Sequence, residues 1–324
     1  MTLLSVENLS VIFETEQGIA RAVDGINLFI EESETVGLVG ESGCGKTVTG
    51  LSILRLIPNP PGRIEGGKII FKDENLLNIP TQKFSHYRGK KIGMIFQDPT
   101  VSLNPVLSIK EHLVETVKLH KKVSGQSAIN ESVRLLEEAG ISDTQKKLNS
   151  YPFQLSGGEK QRVMIALSLA GEPELLIADE PTTSLDVTIQ AQILNSIDRI
   201  QKARGMAMLL ITHDLGVISK RTKRSYVMYA GKIVEEAPTK ELLSNPNHPY
   251  TKALINALPS RKRRGKKLEN ISGAVPAPID FPKGCRFNPR CPIAIEKCKI
   301  EEPSLIEITS NHKTACHLCG SRNE

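Results

Sequence analysis

The sequence predicts an α/β fold with a buried parallel sheet, an antiparallel β region near the N-terminus and a distinct C-terminal appendage. Three observations carry this. A short apolar run at 35–40 feeds a glycine-rich turn and then a helical pattern. Two further apolar runs, 174–179 (ELLIAD) and 206–212 (MAMLLIT), each follow a helical stretch, as central strands covered on both faces do. Residues 3–30 alternate apolar and polar positions instead.

Taken in order, 3–13 and 19–30 read as two antiparallel strands around a Gln17-Gly18 turn. The run 35–40, TVGLVG, is a buried strand, and the helical pattern of 46–57 is stopped by Pro58, Pro60 and Pro61. Residues 68–72 and 91–97 read as strands, and 106–140 as helical, because LVETVKLH and SVRLLEEAG repeat apolar residues every three or four positions. The stretch 225–236 reads as a terminal hairpin around Ala230-Gly231. Beyond it, 245–292 is dense in Pro, Gly and basic residues, as an appendage would be. No internal repeat is visible.

A chain of 324 residues with 39% hydrophobic and 24% charged residues is globular, neither disordered nor fibrous. Its net charge of +6 invites a nucleic-acid or membrane-surface reading until the charge is located. Arg261, Lys262, Arg263, Arg264, Lys266 and Lys267 account for all of it, leaving the rest formally neutral. The run reads as a solvated linker, with contact to anionic lipid headgroups as the sharper alternative. No apolar stretch approaches the roughly 18–20 residues of a membrane span. The N-terminus carries Glu7 early and lacks a signal-like core, so the chain is expected in the cytoplasm with reduced cysteines. Five of the six cysteines fall within the last 40 residues, a distribution that favours metal ligation over disulfides.

Gly40-Glu-Ser-Gly-Cys-Gly45-Lys46-Thr47 fits G-x-x-x-x-G-K-[ST] at a strand-to-helix junction. The glycines, Gly40, Gly43 and Gly45, let successive backbone N–H groups converge on phosphates, with Ser42, Cys44 and Val48 contributing backbone. Lys46 reaches the β/γ-phosphates and the Thr47 hydroxyl coordinates Mg²⁺. Cys44 is a tolerated small residue, not a nucleophile. Leu175–Glu180 is an apolar strand ending in two carboxylates: Asp179 is suited to Mg²⁺ and Glu180 to polarising the attacking water. One such motif set implies one ATPase unit.

Leu155-Ser156-Gly157-Gly158-Glu159, ahead of the helical run VMIALSLAG, resembles the LSGG(Q/E) signature of ABC transporter ATP-binding subunits. A capped helix start fits Ser-Gly-Gly as well. The resemblance implies that Ser156, Gly157 and Gly158 close over ATP held by an opposing subunit, so that one chain does not complete its own site. It also makes Gln97 the Q-loop glutamine near Mg²⁺ and water, Ser184-Leu185-Asp186 the D-loop at the dimer interface and His213 the switch histidine at the γ-phosphate. Phe13 is the candidate aromatic over adenine, with a core role as the alternative. Val48 departs from a pattern in which many members have a second hydroxyl near the α-phosphate.

The implied fold is an ABC-type P-loop NTPase: a RecA-like core with an antiparallel β subdomain and an α-helical subdomain at about 98–160, filling 1–236. The tail, 237–324, carries Asn245-Pro-Asn-His-Pro-Tyr-Thr251, Gly284-Cys-Arg-Phe-Asn-Pro-Arg-Cys-Pro292 and Ala315-Cys316-His317. These resemble the C-terminal extension of dipeptide/oligopeptide importers, a group that includes nickel importers, and the chain resembles their D-type subunit more than the F-type. The resemblance implies a paralogous F-type partner, two permeases and an extracytoplasmic binding protein, at the cytoplasmic face of the membrane. Cys285, Cys291, Cys298 and Cys316 supply four thiolates for a four-iron, four-sulfur cluster, with zinc or free buried thiols as alternatives and Cys319 as a substitute ligand. A soluble ABC-type ATPase acting on nucleic acid or ribosomes is the competing class, opposed by the neutral body and the importer-type tail; a cysteine-cluster sensor or interaction module is a third.

Overall fold

Alternating side chains make two long strands, β1 (Thr2–Thr15) and β2 (Gly18–Glu31), followed by β3 (Thr35–Val39), every residue of which is buried. In this computed structural model, which describes residues 1–183, 185–257 and 271–319, the chain falls into two units. One comprises Thr2–Ile30, Thr35–Leu77 and Leu210–Glu324, the other Met1, Glu31–Glu34 and Asn78–Leu209. Ser184 and the basic run 261–267 lie outside the described residues.

Helix α1 (Lys46–Ile53) ends short of the expected 57, because Arg55 adopts a left-handed φ of 51° before the prolines are reached. Strand β4 (Gly62–Phe71) begins well ahead of the expected 68, since pairing with β1 continues from Leu4↔Phe71 to Phe13↔Gly62. With the short β5 (Glu74–Asn75) it completes a sheet in the order β2-β1-β4-β5.

The next stretch builds the other unit: α2 (Thr81–Phe84), β6 (Ile92–Ile95), α3 (Pro99–Ser102), α4 (Ile109–Lys121), α5 (Gly125–Glu138), α6 (Thr144–Leu148), α7 (Gly157–Leu169), β7 (Leu175–Asp179) and α8 (Val187–Arg204). The single helical stretch expected over 106–140 is thus two helices. Ser108 and Glu111 form a reciprocal capping box at the start of α4, and Lys122 ends it in the left-handed region at φ 56°. Strands β6 and β7 pair in parallel, Ile92↔Leu175 through Ile95↔Ala178, and are buried throughout. Leu113, Val117, Leu135, Val163, Ile165 and Ile193 fill the core beside them.

Strand β8 (Ala207–Thr212) carries the chain back to the first unit, where α9 (Leu215–Arg221), β9 (Arg224–Tyr229), β10 (Lys232–Pro238), α10 (Thr239–Ser244), α11 (Pro249–Asn256), α12 (Glu296–Ile300), β11 (Ile306–Thr309) and β12 (His312–Thr314) follow. The strands of this unit lie in the order β11-β12-β10-β9-β3, with β3 and β9 parallel and the others antiparallel. The tail therefore joins the sheet: Glu235 of β10 pairs with Thr314 of β12. Its aromatic side chains enter the core too, with Tyr229, Tyr250 and Phe287 packed at centroid separations of 4.6–5.4 Å. Among the described residues no helix is long and apolar enough to cross a membrane.

Candidate functional site

The glycine-rich loop lies between β3 and α1. Gly43 and Gly45 take φ of 80° and 105°, which turns the backbone sharply into the helix start. A side chain at Gly40 would collide with the Met228 carbonyl at 2.1 Å, whereas one at Gly43 would meet nothing within 4 Å. The loop is therefore packed against protein at its base and open at Gly43, the shape a phosphate cradle needs. Lys46 is only 4% exposed; its Nζ donates to the carbonyls of Gly40 (2.8 Å) and Glu41 (2.9 Å) and lies 3.7 Å from Cys44 Sγ. Burial pushes the Cys44 thiol up from its ordinary value, so it stays protonated. Ser42 is exposed, Thr47 and Val48 are half-buried in the first turn of α1, and the Val48 carbonyl accepts from Ser52 Oγ. Phe13, half-buried at the end of β1, packs over Gly62, where a Cβ would come within 2.6 Å of its ring.

In the other unit, β7 ends at Asp179, 1% exposed, and Glu180 follows in a left-handed conformation, φ 43°. That backbone is costly for any residue with a side chain and persists where surroundings hold it. One carboxylate oxygen, Glu180 Oε2, accepts from Gln97 Nε2 at 3.2 Å and Thr183 Oγ1 at 2.9 Å. Gln97 does not end its strand as the sequence suggested: β6 stops at Ile95, and the glutamine sits exposed in the loop beyond. The structure thus aims Gln97 and Glu180 at each other and adds Thr183.

Ser156 caps α7. Its Oγ accepts from the Glu159 N–H at 3.3 Å while its own backbone N–H donates to Glu159 Oε2 at 2.9 Å, the reciprocal box that the capped-start alternative describes. Side chains added at Gly157 and Gly158 would meet Leu185 Cδ2 at 3.3 Å and Ile189 Cγ2 at 2.8 Å, so those neighbours would have to shift to admit them. Asp186 caps α8 in the same manner, Oδ1 accepting from the N–H groups of Thr188 (3.1 Å) and Ile189 (3.0 Å). His213 stands exposed just past β8, and its neighbour Asp214 caps α9.

Cys285, Cys291, Cys298 and Cys316 line one small cavity with His248, Phe287 and His317. The loop at Cys285 is joined to helix α12 by the Cys285 N–H donating to the Cys298 carbonyl, 2.8 Å. Burial pushes the Cys285 thiol up to about 11 and raises Cys291 as well. A hydrogen bond from Cys319 holds the Cys316 thiol down to about 6 and pushes Cys319 up in turn. Among the described residues, no three His, Cys, Asp or Glu side chains are close enough to share a single metal ion. His248 caps α11, its Nδ1 accepting from the Tyr250 N–H at 3.0 Å, and burial drives its pKa down to about 4.

Sequence reasoning missed the residues that tie this module to the loop. Arg290 grips both Glu41 carboxylate oxygens, at 2.7 and 3.0 Å, and the Tyr250 hydroxyl accepts from the Glu41 N–H at 2.8 Å. Only their place in unusual Pro-rich motifs could have flagged them.

A phosphate loop, a buried strand ending in paired acids, and a capped Ser-Gly-Gly turn together define a nucleotide-hydrolysing cassette. Residues 23–183 match the ABC transporter family, and 234–298 match the oligopeptide/dipeptide transporter C-terminal region. The chain is 47% identical over 315 residues to the probable peptide ABC transporter ATP-binding protein y4tR of Sinorhizobium fredii, covering 97% of this chain and 94% of that protein. It is 44% identical to the oligopeptide transport ATP-binding protein AppD of Bacillus subtilis, covering 98% and 97%. A dimeric post-hydrolysis structure of the ATP-binding cassette MJ0796 bound to ADP and Pi superposes with a TM-score of 0.66 at 26% identity, covering 73% of this chain and 98% of that one. The chain belongs to the ATP-binding subunits of ABC transporters, in the oligopeptide/dipeptide branch, and its activity is ATP hydrolysis coupled to transport.

Proposed function

We propose that the chain powers uptake of di- and oligopeptides as the D-type ATPase subunit of an importer, paired with a paralogous F-type ATPase beneath two permeases and fed by an extracytoplasmic binding protein. Its place is then the cytoplasmic face of the membrane, held there through the permeases. The observation that carries the ATPase half of this reading is the phosphate loop, open at Gly43 and backed by the buried Lys46. Its relatives' names support the peptide cargo.

In this reading Lys46 and the backbone N–H groups of 43–48 hold phosphate oxygens, and Phe13 stacks on adenine. Thr47 and Asp179, with Gln97 nearby, hold Mg²⁺, which offsets phosphate charge. Glu180 polarises the attacking water, and Gln97 and Thr183 orient its carboxylate. His213 contacts the γ-phosphate. Ser156, Gly157, Gly158 and Asp186 serve the partner subunit's nucleotide. Exposed apolar side chains in one unit, Val101, Val106, Tyr151 and Phe153, support docking to another chain. Residues 1–236 form the ATP-binding domain and 237–324 the extension, whose Cys285, Cys291, Cys298 and Cys316 would hold a 4Fe-4S cluster, a group that does not require three of them to meet on one ion; their shared cavity supports this.

Gentle solubilisation of membranes and capture through this chain should recover two permeases, a sister ATPase and a peptide-binding protein. Recovery of a nickel-binding protein in its place would shift the cargo to nickel, and ribosomal proteins would overturn the transport reading. Anaerobic purification should yield iron and sulfide in equal amounts; zinc alone would replace the cluster.

A further inference from the structure

The phosphate loop contains a carboxylate where a polyanion is to bind. Glu41 is the second residue of the loop, half-buried, and an unpaired negative charge there would repel phosphates held by the same loop, the more so because its surroundings are only partly solvated. The cysteine-bearing extension supplies the counter-charge. Arg290, immediately before Cys291, has a side chain only 4% exposed and meets Glu41 in a two-pronged pair, Nη1 to Oε2 at 2.7 Å and Nη2 to Oε1 at 3.0 Å. Its Nε donates to the Ser272 carbonyl at 2.9 Å, its Nη2 also reaches the Ile271 carbonyl, and its Nη1 also reaches the Tyr229 hydroxyl. The guanidinium is therefore fixed from the extension's side before it reaches the loop. Two more bonds run in parallel: the Glu41 N–H to the Tyr250 hydroxyl and the Gly231 N–H to the Cys44 carbonyl.

We propose that Arg290 is a positioning residue for ATP binding: presented by the cysteine-bearing extension, it neutralises Glu41 and holds the phosphate loop in its receptive form. Arg290 itself touches no phosphate. The affinity of the loop for nucleotide then depends on how well the extension presents this guanidinium, which gives a C-terminal module far from the loop in sequence a direct hold on the ATP site. This rests on the phosphate-binding role given to 40–47.

The test is equilibrium binding of Mg-ATP, ADP and AMP to the purified full-length chain. Arg290→Met should weaken ATP binding about tenfold or more, ADP less and AMP least, because the uncovered charge acts on phosphates. Glu41→Gln alone should stay within about threefold of wild type, and combining it with Arg290→Met should bring affinity back to within about threefold. A loss caused only by disturbed packing would not be repaired by Glu41→Gln and would not grade with phosphate number. Wild-type affinity in Arg290→Met, or no recovery in the double variant, overturns the proposal. If circular dichroism shows Arg290→Met unfolded, Arg290→Lys carries the same comparison, with a loss of about threefold expected and again erased by Glu41→Gln. Failure of the wild-type chain to bind ATP would instead overturn the role of the loop.

Discussion

Two glycine-rich turns open helices in this protein, and they are finished differently. The loop at 40–47 is tied down by its own chain: its carbonyls hold the Lys46 ammonium, Glu41 is gripped by Arg290 and Tyr250, and Gly40 fits only because nothing larger clears Met228. In the turn at 155–158 Ser156 and Gly157 are exposed above a buried Leu155, and Ser156 and Glu159 close into a capping box that Lys147 steadies from Glu159 at 2.7 Å. A helix N-terminus can offer an anion site in either state. In the proposed function the first turn is prefabricated to receive phosphate, while the second is a stable cap whose donors serve nucleotide that a partner presents. In the proposed function this asymmetry explains why one chain binds ATP but two are needed to hydrolyse it.

The comparison can be broken at several points, beginning with the strongest. Lys46→Ala removes the buried ammonium of the first turn and should lower ATP affinity about a hundredfold in equilibrium titrations; unchanged affinity would place the phosphates elsewhere. Ser156→Ala strikes the second turn. Loss of the cap should cost about 1 kcal/mol of stability, a fall of roughly 2–4 °C in Tm. Turnover in the assembled transporter should drop much further, by about tenfold, while ATP binding to the isolated chain stays unchanged. A shift in Tm alone would reduce Ser156 to a helix cap.

The smallest effect lies away from both turns. In the helical unit, hydrogen bonding from Arg134, with Lys121 at 2.7 Å, holds the Glu131 carboxyl down to about 2 from 4.5. A depressed carboxylate stabilises the fold above its unfolded pKa, so this contribution is intact above pH 4.5 and fades as the pH falls towards 2. The full shift corresponds to about 3 kcal/mol, cut by solvent to about 1. Unfolding free energies from urea titrations at pH 6 and pH 3 should therefore lie closer together in Glu131→Gln than in wild type, by up to about 1 kcal/mol; an unaltered pH dependence would show the cluster to be unimportant.

Local chemistry made much of this readable in advance. The phosphate loop, the apolar strands β7 and β8 and the Ser-Gly-Gly cap are each specified within a few residues, and their sequence patterns announce them. What stayed hidden depends on distant partners. Strand β4 reaches back to Gly62 because β1 pairs along it, although Gly66-Gly67 gave no strand signal. The break between α4 and α5 rests on two left-handed residues, Lys122 and Gly125, at a polar Ser124-Gly125 turn that a reading of 106–140 as one helical stretch passes over. The tail looked like an appendage from its composition, yet it adds β11 and β12 to β10 and buries Tyr250 and Phe287. Arg290 and Glu41 are 249 positions apart, and neither position in isolation suggests the other.

The proposed function places the chemistry at Glu180, and its substitution asks the most direct question. Glu180→Gln keeps the shape and hydrogen-bonding reach of the side chain that Gln97 and Thr183 orient, but removes the charge that polarises water. Single-turnover hydrolysis and Mg-ATP binding should be measured on the assembled transporter carrying it. ATP affinity should stay within about threefold of wild type while the hydrolysis rate falls by about a thousandfold. Hydrolysis at the wild-type rate would contradict the role given to Glu180.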